Sequence, residues 1–343
     1  MDIFEFAKRI RVSPTTVSRA ISGKGRTSAN TRELVLTRMK DLGYVPNPCA
    51  QQIATGRSGM VLLYLPDQAA MSDSFALEMI RNMQRALHDR GYALALDSAR
   101  ESDEAISPLF QWIMSGAIDG VVLITGDDNS IAQAKERASA RSPYVLYTNT
   151  DGETKVTAAS QLPHIGSVVL DTDSGARLVA RMLVELGHRR IGYINTINES
   201  ESVVRGLRSE LNALGVHLAD ELIAYGGTTF AGGATALRQL MSLPSPPTAV
   251  FGRNDEVASG ALAEAKSMGI RVPDQLSIVG HNDAPFASLL DPSLTTVRVD
   301  CFEIAKSVVH ILLEMLDSSE VGSKARYLKP ELVMRGSVAP VCK

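Results

Sequence analysis

The chain has 343 residues, of which 45% are hydrophobic and 21% are charged, and its formal net charge is −3. This composition is typical of a folded chain with one or two large cores and excludes a wholly disordered polypeptide. No apolar run reaches the roughly 18 residues of a membrane-spanning helix, and the first residues lack a secretory signal. Three scattered cysteines, Cys49, Cys301 and Cys342, are too few for a disulfide framework or a zinc site. We therefore expect a cytoplasmic protein with no metal or other cofactor.

The charge is distributed unevenly along the chain. Residues 1–57 carry ten Lys or Arg and four Asp or Glu, a net charge of +6, whereas the remaining residues carry −9. A small basic segment joined to a larger acidic one is typical of a polyanion-binding module on a carrier. Chance variation in surface composition gives the same numbers, so the charge alone leaves both interpretations open.

Three short helices are predicted in the basic segment. Apolar residues at helical spacing mark the first over Asp2–Arg9. The pair Ser13-Pro14 is typical of an N-cap and the first position of a second helix. A third helix begins at Ser28 or Asn30 and ends at Gly43. A turn of about three residues joins the first two helices, which is the helix-turn-helix plan.

The second helix is predicted to have one polar side. Val17 and Ala20 would face the core of the segment, whereas the outward residues are mostly short and polar. Those outward residues are Pro14, Thr15, Ser18, Arg19 and Ser22. Hydroxyl groups and a guanidinium suit base edges and phosphates, although the solvated side of a small helical bundle has a similar composition.

The order and spacing of the motifs in this segment resemble the lac repressor (LacI/GalR) family. The matching segments are Val12–Ser22, Thr31–Glu33, Leu42–Asn47 and Ala50–Ala54, and the resemblance continues to the C-terminus. It implies an all-α helix-turn-helix head and an α/β body of two similar parallel-sheet subdomains, like a periplasmic binding protein. Arg11 departs from the family, which commonly has glycine in this turn. If the backbone there is left-handed, arginine costs roughly 1 kcal/mol.

The resemblance also implies which residues contact DNA. Thr15, Thr16 and Arg19 match positions that contact bases in the major groove, and Pro14 replaces a larger residue among them. Residues matching positions that touch the DNA backbone or nearby bases are Ser13, Ser18, Ser22, Arg26, Ser28, Thr31, Tyr44 and Asn47.

A linker with a short helix follows the head. Pro46 and Pro48 cannot lie inside a helix, and the stretch Cys49–Thr55 is too short to be a stable helix alone in water. In the family this hinge helix orders in the minor groove against its dimer mate, which makes Ala50 a DNA contact. Ile53 is the apolar wedge that kinks the DNA. Cys49 is interpreted as a small apolar residue, with a redox role as the alternative.

The body alternates strand-like apolar runs with helical stretches, which predicts parallel sheets covered by helices. The first set of runs is Val61–Leu65, Ala93–Leu96, Val121–Ile124 and Tyr144–Tyr147. The second set is Val168–Leu170, Ile191–Ile194, Leu222–Tyr225, Ala249–Phe251 and Ser277–Val279. Helical stretches are predicted at 75–90, 174–186, 203–214 and 255–268, and the tail 296–335 adds a strand, a helix and a strand.

Together these patterns and the resemblance predict the domain organisation. The helix-turn-helix domain is 1–45, the hinge helix and linker are 46–58, and the effector-binding and dimerisation domain is 59–343. Because the family's chain crosses repeatedly between subdomains, the N-terminal subdomain is predicted at 59–162 plus 296–322. The C-terminal subdomain is then 163–295 plus 323–340. The C-terminus carries no heptads, so a coiled-coil tetramer is not expected beyond the homodimer.

Ligands of parallel sheets bind beyond the carboxyl ends of the strands, which predicts an effector site in the cleft between the subdomains. Amides and carboxylates there pair well with vicinal hydroxyls, and aromatic rings pack on sugar rings. Helix capping is an equally good explanation for the pairs Asn254-Asp255 and Asn282-Asp283. Core packing is the alternative explanation for the aromatic residues. The candidate effector contacts are Asp67, Phe75, Thr125, Thr148, Arg205, Phe230, Asn254 and Asn282.

The resemblance makes this pocket less charged than is usual in the family. Thr148 and Asn282 stand where members commonly carry an aspartate, and His281 replaces an aromatic residue. Val203 occupies the position where members usually have the ligand-binding arginine. Arg205 is nearby in the sequence but does not align with that position. A neutral mono- or disaccharide fits such a pocket better than a phosphorylated sugar or an anionic purine.

The resemblance implies a ligand-responsive repressor whose homodimer binds a pseudo-palindromic operator and releases it when the sugar binds. Its expected partners are double-stranded DNA, a sugar and a second copy of the chain, with no membrane. A corepressor response is the first alternative. A sugar-binding protein without a DNA role is the second, although a transport protein of that kind needs an export signal. No catalytic triad order, phosphate-binding glycine loop or metal-ligand spacing is present in the sequence, so an enzyme is not expected.

Overall fold

The structure is a computed structural model that describes residues 1–22, 25–46, 56–65, 74–98, 108–124, 142–149, 161–196, 202–317 and 324–341, with 132, 134–136, 138–139 and 158–159. The chain divides into two compact units, Met1–Gly59 and Met60–Lys343. Within these ranges no helix is long and apolar enough to cross a lipid bilayer.

The first unit contains the predicted helices α1 (Ile3–Arg9), α2 (Pro14–Ser22) and α3 (Ala29–Leu42). Their apolar sides meet in one core, whose buried residues are Phe6, Ala7, Val17, Ala20, Val35 and Tyr44. On α3 the buried core residue is Val35, whereas the neighbouring Leu34 is exposed. The helix-turn-helix plan predicted from periodicity is therefore present.

Side-chain caps begin α2 and α3. Ser13 Oγ accepts a hydrogen bond from the Thr16 N–H at 3.0 Å, and Ser28 Oγ accepts one from the Thr31 N–H at 3.2 Å. Ser28, rather than Asn30, is thus the N-cap of α3. Each cap satisfies one backbone donor that the first turn of a helix leaves free.

The turn between α1 and α2 contains the left-handed residue anticipated at Arg11. Its φ is +58°, and the next residue, Val12, donates its N–H to the carbonyl of Ala7 at 3.1 Å. An L-residue in this conformation costs roughly 1 kcal/mol relative to glycine. The core contacts of the helices on both sides of the turn offset that cost.

The second unit contains two sheets with six described strands each. The first has the order β11-β5-β4-β3-β1-β2 and is parallel throughout. Its strands are β1 (Met60–Leu65), β2 (Ala93–Ser98), β3 (Gly120–Ile124), β4 (Tyr144–Asn149), β5 (Ile165–Leu170) and β11 (Lys324–Leu328). The second has the order β12-β10-β9-β8-β6-β7, and only β12 is antiparallel. Its strands are β6 (Ile191–Asn195), β7 (Ile223–Tyr225), β8 (Ala249–Gly252), β9 (Ser277–Asn282), β10 (Thr295–Arg298) and β12 (Glu331–Val333).

Helices cover both faces of each sheet. They are α4 (Ser74–His88), α5 (Pro108–Met114), α6 (Thr172–Glu185), α7 (Ser202–Ala213), α8 (Phe230–Met241), α9 (Asp255–Ser267) and α10 (Cys301–Asp317). On the first sheet, α4 and α10 bury one face and α5 packs on the other. On the second sheet, α6 and α7 bury one face, and α8 and α9 bury the other. The two predicted α/β subdomains are present.

The strand order corrects the predicted subdomain boundaries. Strand β5 pairs with β4 and β11 in the first sheet, although 163–295 and 323–340 were predicted to lie in the second subdomain. Strand β10 pairs with β9 in the second sheet, whereas it was predicted to belong to the first from residue 296. The crossing points inferred from the resemblance were therefore wrong. Hydrophobic runs could not correct them, because they show that a segment is a buried strand but not which sheet it joins.

Candidate nucleic-acid interface and ligand cleft

Helix α2 presents its polar side to solvent. Thr15 and Arg19 are exposed, whereas Val17 and Ala20 on the other side are fully buried. Pro14, Thr16 and Ser18 are partly exposed beside them. The helix has no acidic residue in its first turn. Hydroxyl and guanidinium groups displayed on one side of a helix supply the donors and acceptors that base edges and phosphates require.

Among the described residues, the remaining predicted DNA contacts of the first unit lie at its surface, with one exception. Ser13, Arg26 and Ser28 are exposed and Thr31 is partly exposed. The side chain of Ser22, and all of Asn47, Ala50 and Ile53, lie outside the described residues, so the hinge helix stays a prediction.

Tyr44 is the exception, because its ring belongs to the core. It is only 6% exposed and stacks on Phe6 with the ring centroids 4.3 Å apart and the planes 11° from parallel. Burial, together with the nearby carboxylate of Asp2, raises the pKa of its phenol. Any DNA contact of Tyr44 is therefore restricted to its hydroxyl edge, which the motif by itself did not indicate.

In the second unit, contacts join the two sheets across the carboxyl ends of their strands. The backbone N–H of Ser74, at the start of α4, donates to Glu256 Oε1, in the first turn of α9, at 3.2 Å. Arg253, which follows β8, is close enough to Tyr147 in β4 and His281 in β9 to affect the pKa of both. Residues of both subdomains therefore meet in one cleft.

A cavity of about 360 Å³ opens along this cleft between α4, the end of β9 and the connection from β10 to α10. Two predicted effector residues, Phe75 and Asn282, line it together. Three carboxylates, Glu78, Asp283 and Asp300, also line it, against one arginine. Glu78 is paired with Arg81, and Asp283 with Arg298 and Arg335. These arginines are therefore already neutralised, and an anionic ligand group would have to compete with the carboxylates for them.

Several buried polar atoms without a hydrogen-bond partner lie at or near the carboxyl ends of these strands. Among the described residues, Thr148 Oγ1 at the end of β4, Thr196 Oγ1 after β6 and His281 Nε2 in β9 are buried without a hydrogen-bond partner. Their residues are 3%, 7% and 2% exposed. Ser74 Oγ and Glu256 Oε2, at the contact across the cleft, are also unpaired. Because each unmade buried hydrogen bond costs roughly 1–3 kcal/mol, these atoms are candidate ligand contacts.

His281 is held as a neutral imidazole. Burial is the main cause that lowers its pKa to about 3, and the positive charge of Arg253 adds to the effect. Its Nδ1 lies 2.8 Å from Asn282 Oδ1, and its ring lies 6.3 Å from that of Phe251 at 47°. A neutral ring with one free nitrogen hydrogen-bonds neutral ligand groups.

Asn254 has a structural role in addition to its predicted one. Its Oδ1 accepts from the Val257 N–H at 2.8 Å and caps α9, while its Nδ2 donates to the carbonyl of Thr228 at 3.1 Å. The side chain is almost wholly buried. The cap that the sequence suggested for the Asn-Asp pair is thus made by Asn254, although its oxygen retains a second lone pair for a ligand.

Asp255 ties α9 to the strands beside it. Its carboxylate oxygens accept from the Ala284 N–H at 2.5 Å and from Thr296 Oγ1 at 2.6 Å. Burial is the dominant cause that raises its pKa to about 7. This residue therefore contributes to the packing of the second sheet rather than to its ligand surface.

Two predicted effector residues lie apart from the cavity. Arg205 is exposed on α7, where its Nε lies 3.7 Å from Asp173 Oδ1. Phe230 is exposed at the start of α8, and neither residue lines the cavity that holds Phe75 and Asn282. Asp67 and Thr125 lie outside the described residues.

The sequence patterns did not identify several of the candidate ligand contacts. Thr196 directly follows β6, so the strand-end pattern that selected Thr148 applies to it as well. His281 was noted only as a replacement, and Glu256 carries no motif signal because a glutamate in the first turn of a helix is ordinary. Within the described ranges, no cluster of three or more His, Cys, Asp or Glu could hold a metal ion.

Comparisons with known proteins match both units. The family model "Bacterial regulatory proteins, lacI family" matches residues 2–47, and "Periplasmic binding protein-like domain" matches 180–338. The chain is 31% identical to the HTH-type transcriptional repressor CytR of Escherichia coli K12, covering 97% of this chain and 95% of that protein. It is 28% identical to the HTH-type transcriptional regulator CelR of Thermobifida fusca, covering 94% of each.

Solved structures show the same fold over the whole chain. A transcriptional regulator CelR–cellobiose complex is similar with a TM-score of 0.68 and 27% identity, covering 98% of this chain and 99% of that one. The lac repressor dimer bound to operator and the anti-inducer ONPF is similar with a TM-score of 0.79 and 22% identity, covering 99% of each. The second likeness concerns the fold alone.

Proposed function

Because the chain belongs to the lacI family of bacterial transcriptional regulators, we propose that it is a repressor that releases its operator when a neutral sugar binds in the cleft. Its curated relatives are regulators rather than enzymes. The proposed organisation is a DNA-binding domain at 1–45, a hinge helix and linker at 46–58 and an effector-binding and dimerisation domain at 59–343. The proposed location is the cytoplasm, where the operator is.

The DNA contacts follow from the exposed side of α2. In a homodimer on a pseudo-palindromic operator, each α2 enters the major groove. Thr15, Thr16 and Arg19 contact base edges there, and the hydroxyl and basic residues around them contact phosphates. Ala50 and Ile53 of the hinge helix contact the minor groove, where Ile53 inserts between base pairs.

The observation that carries the ligand proposal is that three neutral groups at the carboxyl ends of the strands are buried and unpaired. Thr148, Thr196 and His281 leave two hydroxyls and a neutral imidazole nitrogen without partners. A mono- or disaccharide supplies hydroxyls that both donate and accept, so it pairs with all three without placing a charge in the cleft. The arginines beside the cavity are already paired with carboxylates, so a phosphorylated sugar would have to displace those ion pairs to gain a cationic partner.

Release of DNA requires that the sugar bind two arrangements of the subdomains with different affinity. The contact between Ser74 and Glu256 joins the subdomains across the cleft, so a ligand between them changes the free energy of that closed arrangement. The hinge helices then separate and unfold. In a corepressor response the same architecture is used, but the ligand binds more tightly to the arrangement of the subdomains that binds DNA.

Thermal unfolding of the full chain with neutral sugars, sugar phosphates and purines tests the ligand class. A ligand at a hundred times its Kd stabilises the folded state by about 2.7 kcal/mol, and we expect this stabilisation from a neutral mono- or disaccharide. Thr196→Val is the matched variant, because it removes one hydroxyl at nearly constant volume, and its response to the same sugar should be smaller. Stabilisation by phosphates or purines alone would contradict the proposal.

A further inference from the structure

We infer that His281 is a specificity-determining residue of the cleft, whose Nε2 accepts a hydrogen bond from one hydroxyl group of the neutral effector. The inference rests on the proposed function and goes beyond it, because it fixes the direction of one hydrogen bond. A ligand that offers a hydrogen-bond donor at that place is selected. A ligand whose corresponding group is only an acceptor is rejected.

The first step is the tautomer of the ring. Asn282 Oδ1 has lone pairs but no proton, and it lies 2.8 Å from His281 Nδ1. The hydrogen bond therefore requires that Nδ1 carry the proton and donate it. In a neutral imidazole the other nitrogen, Nε2, then has a lone pair and no proton, which makes it an acceptor.

The second step is the protonation state. His281 is 2% exposed, and burial together with the positive charge of Arg253 disfavours the imidazolium. The ring therefore stays neutral at physiological pH. Nε2 acts as an acceptor and not as a second donor.

The third step is that Nε2 has no partner of its own. It is buried and unpaired, while the neighbouring residue, Asn282, lines the cavity. The ring is also held in place, because it packs 6.3 Å from Phe251 and bonds Asn282. A fixed, buried acceptor discriminates strongly between ligands, because a partner without a donor leaves the nitrogen unpaired after water has been excluded.

Asn282 completes the arrangement. Its Oδ1 accepts from the His281 Nδ1–H, which fixes the amide so that Nδ2 is the donor it can offer to the cavity. The pair thus presents an acceptor on His281 and a donor on Asn282. A ring hydroxyl that donates, next to an oxygen that accepts, matches this pair.

The first test needs no ligand. In the full chain labelled with ¹⁵N-histidine, long-range ¹H–¹⁵N correlation spectra distinguish protonated from unprotonated ring nitrogens. A His281→Gln variant identifies the signal of His281 among the six histidines. We expect a proton on Nδ1, none on Nε2 and no titration between pH 8 and about pH 5. A proton on Nε2 would overturn the inference.

The second test measures the hydrogen bond to the ligand by calorimetry, with the sugar that stabilises the wild type most. His281→Phe keeps an aromatic ring beside Phe251 but has no acceptor, so we expect affinity to fall about tenfold or more. His281→Gln places an amide oxygen near the position of Nε2, so its affinity should stay within about threefold of the wild type. Melting of both variants without ligand checks that they are folded.

A series of monodeoxy analogues of that sugar identifies the hydroxyl group. One analogue should bind the wild type more weakly than the parent sugar does. Its affinity for His281→Phe should be no weaker than its affinity for the wild type, because both changes remove the same hydrogen bond. Wild-type affinity in a folded His281→Phe variant would overturn the inference while leaving the proposed function intact. If no sugar binds, the proposed function fails, and the protonation of Nε2 still decides the tautomer on which the inference depends.

Discussion

Asp255 is a single buried carboxyl group whose environment links the stability of the fold to pH. It accepts hydrogen bonds from Ala284 and Thr296, yet burial outweighs them and raises its pKa from 3.8 to about 7. The folded state therefore holds a proton on Asp255 between roughly pH 4 and pH 7, where the unfolded chain has lost it. Over that interval the free energy of unfolding contributed by this group falls as pH rises, and it is constant above pH 7.

We predict that Asp255→Asn becomes more stable relative to the wild type as pH rises from 5 to 8. The amide is a neutral group of the same shape, so it avoids the cost of a buried charge. About two pH units lie between pH 5 and the raised pKa, so at about 1.4 kcal/mol per unit the upper limit of the effect is roughly 3 kcal/mol. Thermal unfolding at pH 5 and pH 8 measures it.

Asp274→Asn is the matched control. Asp274 is exposed and lies beside Arg271 at 3.3 Å, so its replacement should change stability by less than about 1 kcal/mol at either pH. If the difference between Asp255→Asn and the wild type were the same at pH 5 and pH 8, the account of Asp255 would be wrong.

Single residues also mark the limit of what the sequence predicts about the cleft. The strand-end pattern selected Thr148 and Asn282, which the structure places at the cleft. Arg205, selected for its place beside Val203, and Phe230, selected as an aromatic ring, are exposed and do not line the cavity. His281 was recognised only as an unusual residue, because its lack of a hydrogen-bond partner depends on how distant elements pack around it.

At the scale of the element, Asn254 shows how one residue joins a helix to its surroundings. It caps α9 and donates to the loop before α8. We predict that Asn254→Ala lowers the free energy of unfolding by about 1–2 kcal/mol, because the first turn of α9 loses its cap. Chemical denaturation of the full chain measures the change.

Asn254→Asp is the matched variant for that measurement. The carboxylate keeps an oxygen that accepts from the Val257 N–H and also favours the positive end of the helix dipole, so the cap survives while the amide donor is lost. A stability of Asn254→Ala equal to that of the wild type would contradict the cap assignment. Effector binding to Asn254→Asp tests separately whether the amide contacts the ligand.

Periodicity predicted most of the elements but not all of them. The predicted helices and strands of the second unit are present. Most of the strands are one to three residues longer than predicted, whereas the ends of the helices differ by at most two residues. Helices α5 and α8 were not predicted, and α8 has a physical reason. It carries Gly232 and Gly233 in its first turns, which usually weaken a helix. The glycines are required because a Cβ at Gly233 would lie 2.1 Å from the carbonyl oxygen of Val257 in α9.

At the scale of the whole molecule, the two units differ in how much of their structure the sequence predicts. The head could be predicted in detail because its caps, turn and core contacts are local in sequence. The cleft could be predicted only as a place, since its groups come from β4, β6, β9, α4 and α9, which are far apart in the chain. Their contacts, such as that between Ser74 and Glu256, depend on packing that no local pattern encodes.

The central claim is that a neutral sugar in the cleft weakens binding of DNA by the head. Selection from random duplexes with the full chain supplies its DNA site, and fluorescence anisotropy with that duplex measures affinity with and without the sugar. Arg19→Ala should lose about 1–3 kcal/mol of specific binding. Arg38→Ala, which removes an equal charge from an exposed pair with Asp41, should lose less.

The most direct measurement is the operator Kd of the wild type in saturating sugar compared with the Kd in its absence. The account predicts a pseudo-palindromic site and a Kd at least about tenfold weaker in the sugar, which lies within the usual range of allosteric coupling. An unchanged Kd would contradict the proposed coupling between cleft and head. A tighter Kd would contradict release by the sugar and establish a corepressor instead.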